Sequence, residues 1–239
     1  MAIADIQAPL VSGQELVEEL ERTRIELSRE HPIRGRREMP QTLEELRGQR
    51  RRQHRGGAST VNRNGERYLN CPVKSVRRFQ LRKIIDEAGQ DIFGGPMPSH
   101  EVLDRWESIA LGLTNEEIDR LERADKTPDG LIFVGWWINV HRHSHWSVGI
   151  GTAFAGEGEK LNPEARERLL EDMEAKRDLY IRLGIPDIEK AMVRDVEHSG
   201  VDIDHAEFDR EVIRDYCDTP EAQDQMRKAF VLRMQRAWI

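Results

Sequence analysis

The residues best suited to chemistry are His198, Asp202 and His205, spaced H-x-x-x-D-x-x-H. At about 100° per residue, Asp202 falls about 40° to one side of His198 and His205 about 20° to the other. A helix here would present two imidazoles and a carboxylate from one stripe, stacked over two turns. That donor set suits iron, manganese or zinc rather than a soft metal. Asp195, about 60° from His198, could hold a ligand imidazole in orientation. The same spacing also describes an exposed polar helix, since Arg194, Glu197, Asp204 and Asp209 are close neighbours. A metal centre needs further donors from other helices.

Other constellations carry less. His141, His143 and His145 alternate along the chain, a spacing that turns His143 away from the other two on a helix. They read as structural or as supports for a ligand, with a pocket-lining role for one of them as the alternative. Cys71 and Cys217 are the only cysteines and form no CxxC, which disfavours a thiolate site and a disulfide framework and fits a reducing cytoplasm. No GxGxxG, GxxxxGK[ST] or GxSxG pattern occurs, so nicotinamide, nucleotide triphosphate and serine-hydrolase chemistry have no support.

The elements that must position these residues read as helices. Apolar positions recur at helical spacing over 13–31, ending at His31-Pro32. Leu43–Arg50 looks helical, whereas Arg55-Gly56-Gly57 and Asn62-Arg63-Asn64-Gly65 read as loop or frayed turn. A helix is predicted from Ser75 to Ala88. Ser99 caps another that stops at Gly112, and Thr114 with Glu117 forms a capping box. Leu131–Glu159 reads as one long helical segment interrupted near Gly149–Gly151. Helices starting at Asn162-Pro163, over 187–216 and over 220–238 complete an all-α chain, without repeats or low-complexity tracts.

The 239 residues suit one domain spanning 1–239. A net charge of −7 argues against a nucleic-acid partner. The basic runs Arg34–Arg37 and Arg47–Arg55 read as solvated faces, or as sites for an anionic substrate group or partner. The longest apolar stretch, Leu131–Val140, is too short to cross a membrane and contains Asn139. No basic region followed by a long apolar run opens the chain. A soluble, cytoplasmic protein is expected.

A resemblance supplies the missing donors. The run Arg77-Arg78-Phe79-Gln80-Leu81-Arg82-Lys83-Ile84-Ile85-Asp86-Glu87, then Gly94-Gly95, His100, and Trp106 through Ala110-Leu111-Gly112-Leu113 resembles the haem-oxygenase-like diiron oxidase superfamily. Within it, the likeness is to the branch with the pyrroloquinoline-quinone synthase and thiaminase-like fold. It covers roughly residues 75–215 and implies a haem-oxygenase-like bundle of about seven helices. Carried over by motif, the ligands of two iron ions are Glu87, His100, Glu157, His198, Asp202 and His205. The Glu87–His100 interval is long and holds two prolines, and Glu159 competes with Glu157. Three carboxylates and three neutral imidazoles around two ferrous ions leave a charge of about +1, suited to an anionic substrate group. Ferritin-like bundles instead take Glu-x-x-His pairs from two helices, and this chain has none.

The resemblance further implies O2 as cosubstrate, an external reductant as electron donor, an amino-acid substrate and a homodimer. The outcomes it implies include nitrile formation from a (brominated) tryptophan to give an indole-3-carbonitrile. N-oxygenation and C–C-cleaving desaturation of another amino acid are alternatives, as are a cofactorless oxidase and a metal-free binding protein. Val76, Gln80, Trp146, Ile150 and Phe154 are expected to border the substrate, with plain core packing as the alternative for the last three, and Arg78 or an arginine of the 34–55 region to pair with its carboxylate.

Overall fold

The computed structural model describes residues 9–30, 40, 42–56, 60–95, 97–124 and 128–236, without the side chains of 29–30, 55–56, 60, 92–93, 129, 197–202 and 236. Of the expected loop Arg55-Gly56-Gly57, Arg55 and Gly56 instead end a helix, and Gly57 lies outside the described residues, as do Arg34–Arg37.

Helix boundaries follow local chemistry. Helix α1 (Gly13–Glu30) turns Leu16, Val17 and Leu20 into the core at helical spacing. Helices α2 (Leu43–Gly56), α3 (Thr60–Asn70) and α4 (Lys74–Ala88) follow. The Ser99 hydroxyl accepts from the Val102 amide and starts α5 (His100–Ala110). Thr114 does the same for α6 (Asn115–Arg123) through the Glu117 amide. Asn162 caps α10 (Pro163–Arg182), with proline in its first turn, where the missing N–H costs nothing. Asp187 caps α11 (Ile188–Tyr216), and α12 (Pro220–Arg236) closes the chain. The described residues contain helices and no strand.

Two sequence expectations need correction. The Asn62-Arg63-Asn64-Gly65 stretch is not a loop but the body of α3. Burial of Asn64 and Arg67 on the inner face overrides poor local propensity. The single segment over Leu131–Glu159 is three helices: α7 (Pro128–His143), α8 (Trp146–Gly151) and α9 (Phe154–Glu157). Extended backbone at His145 makes the first break, ahead of the glycines. Twelve α-helices appear among the described residues where about seven were expected, and this splitting accounts for two of the difference.

Helix α11 organises the packing. Its 29 residues span about 44 Å, and it packs on α1, α5, α8, α9 and α10. One apolar cluster joins α1, α8, α9 and α12 to Ile213; a second joins α2, α5 and α10 to Ala191 and Met192; a third joins Cys71, Val76 and Ile150 to Val212. No helix among the described residues is long and apolar enough to cross a membrane.

Candidate metal centre

Helix α4 buries a polar face. Val76, Gln80, Lys83 and Glu87, at spacings of four, three and four, all lie inside, with Asp86 beside them. Lysine and glutamate are rarely fully buried unless paired, so this face needs partners, and α11 provides them. The Lys83 ammonium donates to Asp209 Oδ1 at 2.8 Å and to the His205 carbonyl at 3.4 Å. It also lies 3.7 Å from Glu157 Oε2, at the end of α9. One turn away, Phe79 stacks on Phe208 at 3.7 Å and meets the His205 ring edge-on. These contacts bring His205 and Glu157 to the α4 face.

Glu87 Oε2 meets His100 Nδ1, so the glutamate closing α4 and the histidine opening α5 come together despite the prolines between them. His205 Nε2 lies 3.6 Å from Asp86 Oδ2. His198 and Asp202 lie within α11, but their side chains are outside the described ones. Asp209 extends the stripe by one turn. As a neighbour of the triplet it suited an exposed helix, yet it is fully buried. Burial pushes its carboxyl up to about 6, against the pull of Lys83.

Three arginines surround the carboxylates. Arg67, buried on α3, donates to the Gly149 carbonyl and to Asn64 Oδ1. Arg63, Arg67 and Arg233 each place a guanidinium over the Trp137 indole, at 5.6, 5.4 and 5.2 Å. Burial and mutual repulsion lower Arg63 and Arg233 to about 10, while Glu87 and Glu157 oppose the shift at Arg63. At about 10, Arg63 and Arg233 stay charged at neutral pH. None was singled out from the sequence, because a charged residue without a motif reads as surface. The legible signal was polar residues recurring at helical spacing on α4 and α11.

Of the arginines that were singled out, Arg47, Arg50 and Arg51 have structural partners. Arg50 pairs with Asp104 and Glu107, Arg51 with Glu44 and Glu117, and Arg47 donates to the Leu111 carbonyl. Arg78 is exposed. Asp195 accepts from Lys176 at 2.6 Å, which ties it to the Glu107 cluster. Of the expected substrate-bordering residues, Val76, Ile150 and Trp146 share one apolar cluster. Phe154 packs in another, beside Phe230. Gln80 is fully buried with neither amide atom hydrogen-bonded.

Among the described residues no three His, Cys, Asp or Glu side chains gather closely enough to hold a metal ion. The residues present nonetheless fit one. Buried oxygens of Asp86, Glu157 and Asp209 have no hydrogen-bond donor, and a buried anionic acceptor without a donor is costly. A cation held between α4, α9 and α11 would satisfy such oxygens, and carboxylate with imidazole is a donor set that iron accepts.

His141 gives a measurable pH dependence. It is 2% exposed, and burial, followed by the charges of Arg67 and Arg63, holds it well below the ordinary histidine range. The unfolded chain takes up a proton at about pH 6.5 that the folded chain refuses. Stability is therefore complete above that pH and declines below it, by up to about 1.4 kcal/mol per pH unit from this group. Urea unfolding at pH 7 and pH 5 should show a smaller loss for His141→Gln than for the unmodified chain.

No family model matches the sequence, and comparison with curated proteins finds no match.

Proposed function

We propose that the chain is an O2-dependent non-haem diiron oxidase of haem-oxygenase-like fold that acts on an amino acid. The observation that carries this reading is the convergence of Glu87, His100, Glu157 and His205 on one buried polar region, with carboxylate oxygens left without donors. The H-x-x-x-D-x-x-H spacing adds His198 and Asp202, both on α11, to the proposed ligand set. Two iron ions held by these six residues would supply the activation of O2, with electrons from an external reductant.

The protein's own groups prepare that chemistry. Arg63 and Arg67 set positive charge near Glu87 and Glu157. Lys83 fixes Asp209 and, through the His205 carbonyl, the turn of α11 that bears the imidazole. The Phe79–Phe208 stack packs against the His205 ring. The preferred outcome is nitrile formation from a tryptophan, with loss of the carboxyl-bearing carbon. The chain length and the aromatic residues before Glu157 are features it shares with the nitrile synthase of the aetokthonotoxin pathway. N-oxygenation or C–C cleavage of another amino acid would use the same residues.

One feature favours a metal-free reading: Lys83 already supplies a cation to Asp209 and stands near Glu157. Anaerobic ferrous loading separates the two. About two irons per chain should be retained, and Glu157→Ala and His205→Ala should each lose at least half of that while keeping their helical circular dichroism. A chain that keeps no iron, or oxidises its substrate undiminished under strong chelation, is not a diiron enzyme.

A further inference from the structure

Between α3, α4 and α7 lies a cavity of about 530 Å³, within the size range of small-molecule pockets. Its walls are mostly hydrocarbon, from Val61, Leu69, Ile84, Val134, Trp137 and Ile138. Leu69 and Ile138 are exposed and mark the mouth, while Trp137 is buried. Among the described residues, none that lines the cavity is a proposed iron ligand.

The charged groups of the lining are already committed. Arg63 lays its guanidinium over Trp137, and the charges of Glu87 and Glu157 answer its own. The Glu66 carboxylate is taken by Arg142. His141 is the exception. It is 2% exposed, its ring packs 4.8 Å from Trp137, and neither ring nitrogen has a hydrogen bond. Gly149 of α8 backs the ring closely enough that a Cβ there would come within 2.9 Å of Nδ1.

A neutral imidazole carries one N–H and one lone pair, and burying both without partners is costly. A hydroxyl donates and accepts alike, so it pairs with this ring whichever nitrogen holds the proton. A carboxylate only accepts and an ammonium only donates. Either would also bring a charge into an apolar cavity whose charged lining is taken. We propose that this cavity binds a neutral alcohol of largely hydrocarbon body, its hydroxyl paired with His141 and its chain laid along the apolar walls. The assignment draws nothing from the oxidase reading, and the binding step needs no iron.

Titration calorimetry of the full chain, as purified and again after ferrous loading, tests this with hexanol, hexane, hexanoate and hexylamine. Hexanol should bind in both states, at least about tenfold more tightly than either charged analogue. His141→Phe keeps an apolar ring in the wall and removes the hydrogen bond. The preference for hexanol over hexane should then fall at least about tenfold, the cost of leaving a buried hydroxyl unpaired. His141→Gln still donates and accepts and should keep part of that preference. Val134→Trp narrows the cavity and should weaken hexanol and hexane together. The comparison of the four ligands on the unmodified chain stands even if no variant folds. No binding of hexanol, binding of hexanoate or hexylamine as tight as that of hexanol, or an unchanged hexanol preference in a folded His141→Phe chain would overturn the assignment. Iron content measured on the same samples keeps the two proposals apart. A chain that binds hexanol but keeps no iron loses only the oxidase, and one that keeps iron but ignores hexanol loses only this site.

Discussion

Replacing Lys83 with methionine should cost the folded chain about 3–5 kcal/mol, the usual penalty for removing one partner of a buried ion pair. Lys83 and Asp209 are 1% and 0% exposed and 2.8 Å apart. Without the ammonium, Asp209 keeps Arg67 as a distant counter-charge but loses its hydrogen-bonded cation, and Glu157 loses a neighbour. The double variant Lys83→Met/Asp209→Leu should recover most of the loss, because an apolar pair of similar volume needs no solvation. Urea midpoints of the single and double variants measure the coupling directly. If Lys83→Met alone unfolds at the same midpoint as the unmodified chain, the pair is not a buried strut between α4 and α11.

Gly13→Ala should destabilise by about 3 kcal/mol, near the top of the usual range for overpacking. A Cβ at this position would lie 1.8 Å from the Arg214 carbonyl oxygen of α11, and backbone of a packed helix has little room to yield. The start of α1 cannot easily peel away, because Val11 exchanges two hydrogen bonds with the Gln223 side chain. Separation would instead draw Leu16, Val17 and Leu20 from their contacts with Ile213 and Cys217. Gly65→Ala is the matched control. That glycine is helical with no atom in the way, so alanine should be neutral or gain up to about 1 kcal/mol. A Gly13→Ala chain as stable as the unmodified one would mean that α1 and α11 do not meet at that point.

The all-α class and several helix boundaries were legible because they rest on local chemistry. Ser99, Thr114 and Asn162 cap helices whatever packs around them. Helix α3 was not, because its Asn-Arg-Asn-Gly run has turn-like propensity and only the burial of Asn64 and Arg67 makes it helical. The candidate site divides in the same way. Glu87, His100, Glu157 and the α11 triplet could be marked by motif. Lys83, Asp209 and the arginines over Trp137 could not, since their burial comes from helices distant in sequence. Of the histidine run, the structure places only His141 in a cavity wall, and His143 is exposed.

One rod carries residues of all three apolar clusters and the candidate ligand stripe between them. Such a chain has little freedom to open piecemeal, because fraying any cluster pulls on α11 and hence on the other two. Loss of structure should then be cooperative throughout. A guest held against the middle of that rod would slow amide exchange at both of its ends, far from any atom it touches.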